Sequence, residues 1–232
     1  NGKFAHNPEP LPEHLGNLST EVTFNKADLG IAVDPDVDRL AFIDEKGNPF
    51  GEEYTLVACA DYVIAQNKGN TVSNLSSTKA LRDIAKKYEV EYHASAVGEV
   101  NVVEKMKAVD AVIGGEGNGG VILPELHYGR DALVGIAIFL THLAKSNKNT
   151  SSLRASYPNY VISKNKIQLE EGVDVDKIIA GIKDKYKQYP QNTEDGLRID
   201  IDEDWVHLRR SNTEPIIRIY SESSTEQTAN AI

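Results

Sequence analysis

The residues best suited to chemistry lie in DLGIAVDPDVDRLAFID, residues 28–44, where Asp34, Asp36 and Asp38 occupy alternate positions. Apolar runs on both sides predict buried strands. Three carboxylates this close together beside a core repel one another unless something neutralises them. Carboxylate oxygens are hard ligands that suit Mg²⁺ or Ca²⁺. The spacing therefore predicts a metal site on the loop between two strands.

Other interpretations of this segment are open on its residues alone. An EF-hand loop matches at the three aspartates and at Glu45, but Arg39 stands where that loop needs glycine. A phosphatase of the haloacid dehalogenase type also places D-x-D after an apolar strand, with Asp34 as nucleophile, although a third aspartate followed by arginine is foreign to that pattern. A solvated acidic turn is the plainest alternative.

A glycine-rich loop, GGEGNGG at residues 114–120, follows a second buried strand. Glycines let a backbone approach a ligand closely. A carboxylate such as Glu116 accepts hydrogen bonds from neighbouring hydroxyls, and Asn118 can do so beside it. Taken alone, the same residues fit a tight turn equally well.

A third loop, RRSNTEP at residues 209–215, follows a strand near the end of the chain. A guanidinium, two hydroxyls and loop N–H groups make a good cradle for phosphate. A polar turn is the competing interpretation. The groups available for phosphate binding are Arg209, Ser211, Asn212 and Thr213.

These three loops together resemble those of the α-D-phosphohexomutases, the phosphoglucomutase/phosphomannomutase family. ADLGIAVDPDVDR is similar to that family's metal loop, D-G-D-x-D-R, with Pro35 in place of the first glycine. Residues 114–120 resemble its G-E-x-[SN]-G sugar loop. Residues 209–215 match its R-x-S-[NG]-T-[ET]-P phosphate loop in full. The order is the family's, and the resemblance covers essentially the whole chain.

The resemblance implies a role for each loop. Mg²⁺ would bind Asp34, Asp36 and Asp38, while Arg39 would orient a serine phosphate or the neighbouring carboxylates. The 114–120 loop would hold the sugar and the 209–215 loop its far phosphate. Two further segments join this site. SAVGEVNVVEKMK would turn Glu99 toward the substrate, and HYGRDAL would place Arg130 near the sugar, unless Arg130 and Asp131 simply cap a helix.

The implied reaction interconverts hexose 1-phosphate and hexose 6-phosphate through a phosphoserine and a bisphosphorylated sugar. The family's T-A-S-H-N-P serine motif does not occur in these residues. We therefore expect this chain to lack the N-terminal domains of the intact enzyme and to be inactive alone. Glucose and mannose phosphates are the expected substrates, because glucosamine members often carry Gln and Ser where Gly117 and Asn118 stand. Phosphoglucosamine mutase, a non-catalytic phosphosugar-binding module and a D-x-D phosphatase are the alternatives.

The expected fold is α/β. The resemblance implies the end of domain 2 over residues 1–48, a complete mixed α/β domain 3 with a helix-covered sheet over 49–155, and a smaller α+β domain 4 over 156–232 whose end is truncated. Strands and helices alternate between residues 71 and 116, which favours parallel pairing. Strands with segregated helices after residue 151 favour a separate α+β domain, with its boundary near residues 150–158.

Composition narrows the class of partner. The chain has 232 residues and a net charge of -10, which disfavours nucleic acid or an anionic membrane surface as the main partner. A hexose phosphate remains compatible, because a few local cations and N–H groups bind it. The only cysteine, Cys59, sits in an apolar helical segment and is expected to be a buried, inert thiol. We expect a cytoplasmic protein.

Overall fold

The computed structural model describes residues 2–4, 7–169, 173–211 and 215–232. The chain divides into two compact units. The first comprises residues 1–94 and 98–158, and the second comprises residues 95–97 and 159–232. No helix among the described residues combines the length and the apolar character needed to cross a lipid bilayer.

The chain up to residue 158 alternates helices and strands. After a 3₁₀ turn at Pro12–His14 come α1 Gly16–Phe24, β1 Leu29–Val33, β2 Leu40–Asp44, α2 Glu52–Gln66, β3 Asn70–Asn74, α3 Ala80–Tyr88, β4 Tyr92–Ser95, α4 Glu99–Ala108, β5 Ala111–Glu116, β6 Gly120–Ile122, α5 Ala132–Ser146 and α6 Thr150–Ala155. The strands form a β1-β2 hairpin and a four-stranded sheet in the order β4-β3-β5-β6.

The four-stranded sheet is mixed. β3 and β5 are parallel, as the alternating pattern predicts. β6 is antiparallel to β5, because only the residues 117–119 separate them and a parallel crossover needs many more. β6 is short, spanning only Gly120–Ile122. The expectation of a mixed, helix-covered α/β domain is confirmed.

An aromatic cluster fixes β2 against α5. The rings of Phe42 and Phe139 stack with centroids 3.9 Å apart, and Phe50 packs edge-on against both. All three side chains are fully buried, and aromatic pairs of this kind add about 1 kcal/mol each beyond the area they bury. The cluster holds the strand that leaves the aspartate loop close to the helix that follows Arg130.

The second unit is an α+β fold. Its elements are β7 Val161–Gln168, α7 Val175–Lys185, β8 Gln191–Asn192, β9 Leu197–Ile201, β10 Asp204–Arg210, β11 Ile216–Ser223 and α8 Glu226–Ala231. The strands pair in the order β7-β11-β10-β9-β8. Alternate residues of β9 and β10, including Leu197 and Leu208, pack on α7 through Ile179 and Ile182. This leaves Trp205, His207 and Arg209 on the opposite face of β10.

Candidate active site

The three aspartates converge on one point between β1 and β2. Asp34, Asp36 and Asp38 each offer a carboxylate oxygen, and these oxygens all lie within 4.8 Å of one another. Asp34 is buried, whereas Asp36 is exposed and Asp38 is partly exposed. The flanking elements are strands rather than helices, so the EF-hand interpretation is wrong. The hairpin geometry is the reason, since its turn directs alternate side chains inward.

The loop is built around Asp34. Its Oδ1 accepts hydrogen bonds from the backbone N–H groups of Asp38 and Arg39, at 3.1 and 3.0 Å. Burial alone would raise the pKa of Asp34, but these donors outweigh it and hold that pKa below its ordinary value. Asp34 is therefore ionised at neutral pH.

Asp38 behaves in the opposite way. Burial, the hydrogen bond with Asp34 and the charges of Asp34 and Asp36 raise the pKa of Asp38 to about 6, although Arg130 opposes them. The raised pKa reflects the repulsion between carboxylates crowded at one point. A divalent cation bound there would relieve that repulsion, so the electrostatics of the loop favour metal binding.

Arg39 lies on the same loop, and its side chain is partly exposed. Its Nη1 pairs with Glu9, and its Nε lies 3.6 Å from Asp34 Oδ2 and 3.9 Å from Asp38 Oδ1. That Nε is buried and makes no hydrogen bond within the described part of the chain. Arg39 thus pairs with the carboxylates expected of it. The contact with Glu9, in NPEPLPEHL, was not predicted.

One close contact brings the glycine loop against the aspartate loop. Gly119 has φ +87°, and a Cβ there would strike the backbone of Leu40, the first residue of β2. On another side, the start of α5 holds the aspartate loop, where the backbone N–H of Ala132 donates to the carbonyl of Val37 at 3.0 Å. The two loops are therefore neighbours in the first unit, as their predicted roles require.

Glu116 ends β5 and is buried. Its Oε1 accepts hydrogen bonds from Asn74 Nδ2 at 2.8 Å and from the backbone of Gly98 at 3.1 Å. Its Oε2 accepts from Arg130 Nη1 at 2.9 Å. A carboxylate has about four lone-pair positions, so protein donors occupy most of those on Glu116. Asn118 also shapes the turn, because its side-chain oxygen accepts from the backbone N–H of Gly120.

Arg130 occupies the centre of this group. Its side chain is only 13% exposed and meets three carboxylates, those of Asp38, Glu116 and Glu99. Glu99 also accepts a hydrogen bond from the backbone N–H of Arg130, at 3.1 Å. Asp131, not Arg130, caps α5, where its carboxylate accepts from the Val134 N–H. The capping interpretation therefore holds for Asp131 alone.

Sequence reasoning missed the loop after β3. Besides Asn74, this loop supplies Ser77, whose hydroxyl accepts from the Gly117 N–H at 3.0 Å, and Thr78, whose N–H donates to Glu53. The signal was available: the polar run SNLSST follows β3, and β3 is parallel to β5. Carboxyl ends of parallel strands meet at the same edge of a sheet, so these side chains had to lie beside the glycine loop.

The phosphate loop belongs to the second unit, and only part of it is described. Arg209 is the next-to-last residue of β10, its Nε is buried, and that atom has no hydrogen-bond partner within the described ranges. Ser211 is buried and its backbone N–H donates to Ile216. Two other predicted phosphate ligands, Asn212 and Thr213, lie outside the described residues.

A row of cations crosses the sheet next to that loop. Arg209 on β10 lies opposite Arg218 on β11, and Arg218 lies opposite Lys166 on β7. Like charges directly opposite one another destabilise a sheet. The presence of these three cations at the loop end of three strands favours binding of an anion there.

The residues of the first unit fit a magnesium ion. Around the aspartate loop, six carboxylates face two guanidinium groups, which leaves an excess of negative charge. All the donors at the convergence point are carboxylate oxygens, the ligands that Mg²⁺ prefers. The hydrogen-bonded Asp34 supplies a pre-oriented ligand in a loop anchored at both ends.

Comparison with known protein families identifies the family to which the chain belongs. Three family models match in order: phosphoglucomutase/phosphomannomutase alpha/beta/alpha domain II over residues 1–47, domain III over 51–160 and the C-terminal domain over 165–232. The chain belongs to the phosphoglucomutase/phosphomannomutase family. Members of this family act on hexose phosphates as phosphomutases.

Individual family members show how far the likeness extends. A phosphoglucomutase/phosphomannomutase of Thermococcus kodakarensis is 38% identical over 97% of this chain and 50% of that protein. A phosphoglucosamine/phosphogalactosamine mutase of Sulfurisphaera tokodaii is 32% identical over 97% of this chain and 51% of that protein. The chain thus spans about half the length of the curated relatives it matches.

Solved structures of the family show the same fold. A phosphoglucomutase/phosphomannomutase family protein of Burkholderia thailandensis superposes with a TM-score of 0.84, at 24% identity, over 98% of this chain and 49% of that one. A putative phosphomannomutase of Thermus thermophilus gives a TM-score of 0.77 at 23% identity, over 97% of this chain and 49% of that one.

Proposed function

We propose that the intact protein interconverts hexose 1-phosphate and hexose 6-phosphate, with glucose and mannose phosphates as substrates. The observation that carries this proposal is the convergence of Asp34, Asp36 and Asp38 within 4.8 Å of one another, on a loop held against the glycine loop through Gly119 and Arg130. A charged metal site beside a hydroxyl-binding loop is what phosphoryl transfer to a sugar requires.

In this proposal the three aspartates hold Mg²⁺, which neutralises charge on a phosphoryl group when it is bound. Arg39 orients the phosphate, because its Nε is buried and lacks an acceptor within the described part of the chain. Positioning and electrostatic stabilisation account for most of the catalysis in phosphoryl transfer. The serine that carries the phosphate comes from a part of the intact protein outside these residues.

The glycine loop holds the sugar. Glu116 and Asn118 accept hydrogen bonds from hydroxyls, and Glu99 borders the same position. A carboxylate that accepts from hydroxyls common to both orientations of a bisphosphorylated sugar tolerates the turnover of that sugar. In the second unit, Arg209 and Ser211, with Asn212 and Thr213, bind the phosphate that is not being transferred.

A phosphoglucosamine mutase is the second candidate. Relatives so named in Sulfurisphaera tokodaii and Methanopyrus kandleri are 32% and 30% identical to the chain. Against it stands the sugar loop, where Gly117 and Asn118 replace the Gln and Ser frequent in glucosamine members. Assays of the intact protein on glucose, mannose and glucosamine 1-phosphates separate these candidates, since the preferred substrate has the highest kcat/KM.

The metal site is tested by Asp36→Asn. Asp36 is the exposed member of the trio, so its substitution removes one ligand with little effect on the core. We expect Mg²⁺ affinity, measured by isothermal titration calorimetry, to fall at least about tenfold, and mutase activity of the intact protein to fall with it.

Asp110→Asn is the matched control. Asp110 is exposed in a turn with φ +51°, which asparagine adopts readily. The control removes the same charge and should bind Mg²⁺ as the unmodified chain does. Equal affinities of the two variants would refute the metal site.

The phosphatase alternative predicts a different result. Phosphate would be released from a sugar phosphate with no bisphosphate formed, and this activity would be lost in Asp34→Asn.

A further inference from the structure

Arg130 connects three elements of the first unit through one side chain. Its Nη2 pairs with Asp38 Oδ2 in the aspartate loop, its Nη1 lies 2.9 Å from Glu116 Oε2 at the end of β5, and its Nε lies 3.3 Å from Glu99 Oε2 at the start of α4. Gly120 makes this possible, because a Cβ there would strike the Arg130 side chain. The guanidinium is thus enclosed by the three carboxylates with which it pairs.

The same guanidinium is engaged at both of the proposed ligand sites. It occupies Oδ2 of Asp38, one of the three metal ligands, and Oε2 of Glu116, the sugar-binding carboxylate. The other oxygen of Glu116 is already taken by Asn74 and Gly98. A cation that binds Asp38, or a hydroxyl that binds Glu116, therefore acts on Arg130 in either case.

We propose that Arg130 is a positioning residue that couples metal binding at Asp38 to hexose phosphate binding at Glu116. This inference rests on the proposed function. Asp38, if it ligated a metal ion, would be drawn away from the guanidinium, and a mostly buried N–H donor of Arg130 would lose its acceptor. A buried N–H donor without an acceptor is energetically unfavourable, and an oxygen of the hexose phosphate would restore the missing hydrogen bond. Each ligand then tightens the binding of the other by the same factor, as linkage requires.

The proposed coupling should weaken Mg²⁺ binding, and this effect can be measured without the sugar phosphate. A cation fixed on Asp38 competes with Mg²⁺ for the carboxylate and repels it. Substitution of Arg130 by an uncharged residue should therefore tighten Mg²⁺ binding. A purely structural arginine would have the opposite effect, since its loss would disorder the loop and weaken the metal site.

The test titrates Mg²⁺ calorimetrically into the 232-residue chain, with and without saturating glucose 6-phosphate, for the unmodified protein, Arg130→Gln and Arg130→Lys. Glucose 6-phosphate should raise Mg²⁺ affinity about fivefold in the unmodified chain. Arg130→Gln should bind Mg²⁺ about tenfold more tightly without the sugar phosphate and should lose most of the coupling. Arg130→Lys keeps the charge but not the fork, so Mg²⁺ affinity should stay close to that of the unmodified chain while coupling falls.

Arg82→Gln is the charge-matched control, because Arg82 is an exposed arginine on α3. If Arg130→Gln matches Arg82→Gln in both titrations, or if it weakens Mg²⁺ binding, the inference is overturned while the proposed metal site stands. An unmodified chain that binds no Mg²⁺ overturns the proposed metal site and the inference with it. If circular dichroism shows that Arg130→Gln is unfolded, Arg130→Lys decides: reduced coupling supports the inference, and unchanged coupling overturns it.

Discussion

At the scale of single residues, the aspartate loop holds one backbone position in an unfavourable conformation. Val37, between Asp36 and Asp38, has φ +60°. Left-handed backbone is a genuine outlier for a β-branched residue. The hydrogen bond from Ala132 to the Val37 carbonyl, and that from the Val37 N–H to Asp34, maintain it. Such strain persists only where the surrounding structure over-determines it.

This strain predicts that Val37→Asn stabilises the protein. Asparagine adopts left-handed backbone readily, so the free energy of unfolding should rise by about 1 kcal/mol. Urea denaturation followed by circular dichroism measures it. Val33→Asn is the matched control, because Val33 lies in extended β1, where asparagine is unfavourable. A loss of stability in Val37→Asn equal to that in Val33→Asn would show that no strain is relieved.

At the scale of elements, a buried polar cluster joins α2, α3 and α5. Asp61, in the middle of α2, accepts hydrogen bonds from Lys87 at 2.7 Å, Tyr88 at 2.8 Å and Tyr157 at 3.2 Å. His142 Nε2 on α5 lies 3.4 Å from Asp61 Oδ2, the oxygen that also accepts from Tyr157. These helices cover the sheet that carries Glu116, so the cluster stabilises the elements that position the glycine loop.

The pKa of Asp61 links this cluster to acid stability. Burial alone would raise it, but hydrogen bonds from His142, Lys87 and Tyr88 hold it well below its ordinary value. A carboxylate whose folded pKa is depressed contributes stability above its unfolded pKa of about 3.9 and loses it as the pH falls below that value. Stability conferred by Asp61 is therefore complete at neutral pH and declines in acid.

Accordingly, Asp61→Asn should lower the free energy of unfolding by about 2 kcal/mol at neutral pH, because it leaves buried donors poorly matched. Its stability should also fall less steeply than that of the unmodified protein as the pH drops below about 4. Urea midpoints across this range measure both effects. Asp28→Asn, at an exposed carboxylate of the same unit, is the control. An acid limb as steep in Asp61→Asn as in the unmodified protein would exclude this role for Asp61.

At the scale of the whole molecule, the chain carries three family loops on two compact units and spans about half the length of the relatives it matches. Its net charge is -10, yet each unit carries guanidinium groups at its candidate ligand loop. In the first unit Arg39 and Arg130 lie among carboxylates, and in the second Arg209 lies in a row of cations. A negative net charge is therefore compatible with an anionic ligand, because local charge governs binding.

We predict that residues 1–232 alone bind Mg²⁺ but do not turn over hexose phosphates. Phosphoryl transfer through a covalent intermediate needs the residue that carries the phosphoryl group, and the family's serine motif is absent from this sequence. A coupled assay with glucose 1-phosphate should give less than about a thousandth of the rate of the intact protein. Turnover by the 232 residues at a comparable rate would show that they hold a complete mechanism.

The sequence by itself determined the loops, their order and most elements of both units. D-x-D-x-D-R between two apolar runs predicts a hairpin with converging carboxylates, because side chains alternate along strands. The buried Cys59 followed from its apolar helical surroundings, and burial raises the pKa of that thiol to about 12. Such features depend on neighbouring residues, so local patterns suffice to predict them.

Only the tertiary structure decided which charges meet. Arg130 pairs with Asp38 across ninety-two positions of chain, and Asn74 reaches Glu116 across forty-two. Nothing in local periodicity specifies such partners, since they depend on how β3, β5 and α5 pack around the aromatic cluster. For that reason Arg130, which the sequence predicted only to lie near a sugar, is found to join Asp38 of the aspartate loop to Glu116 of the glycine loop.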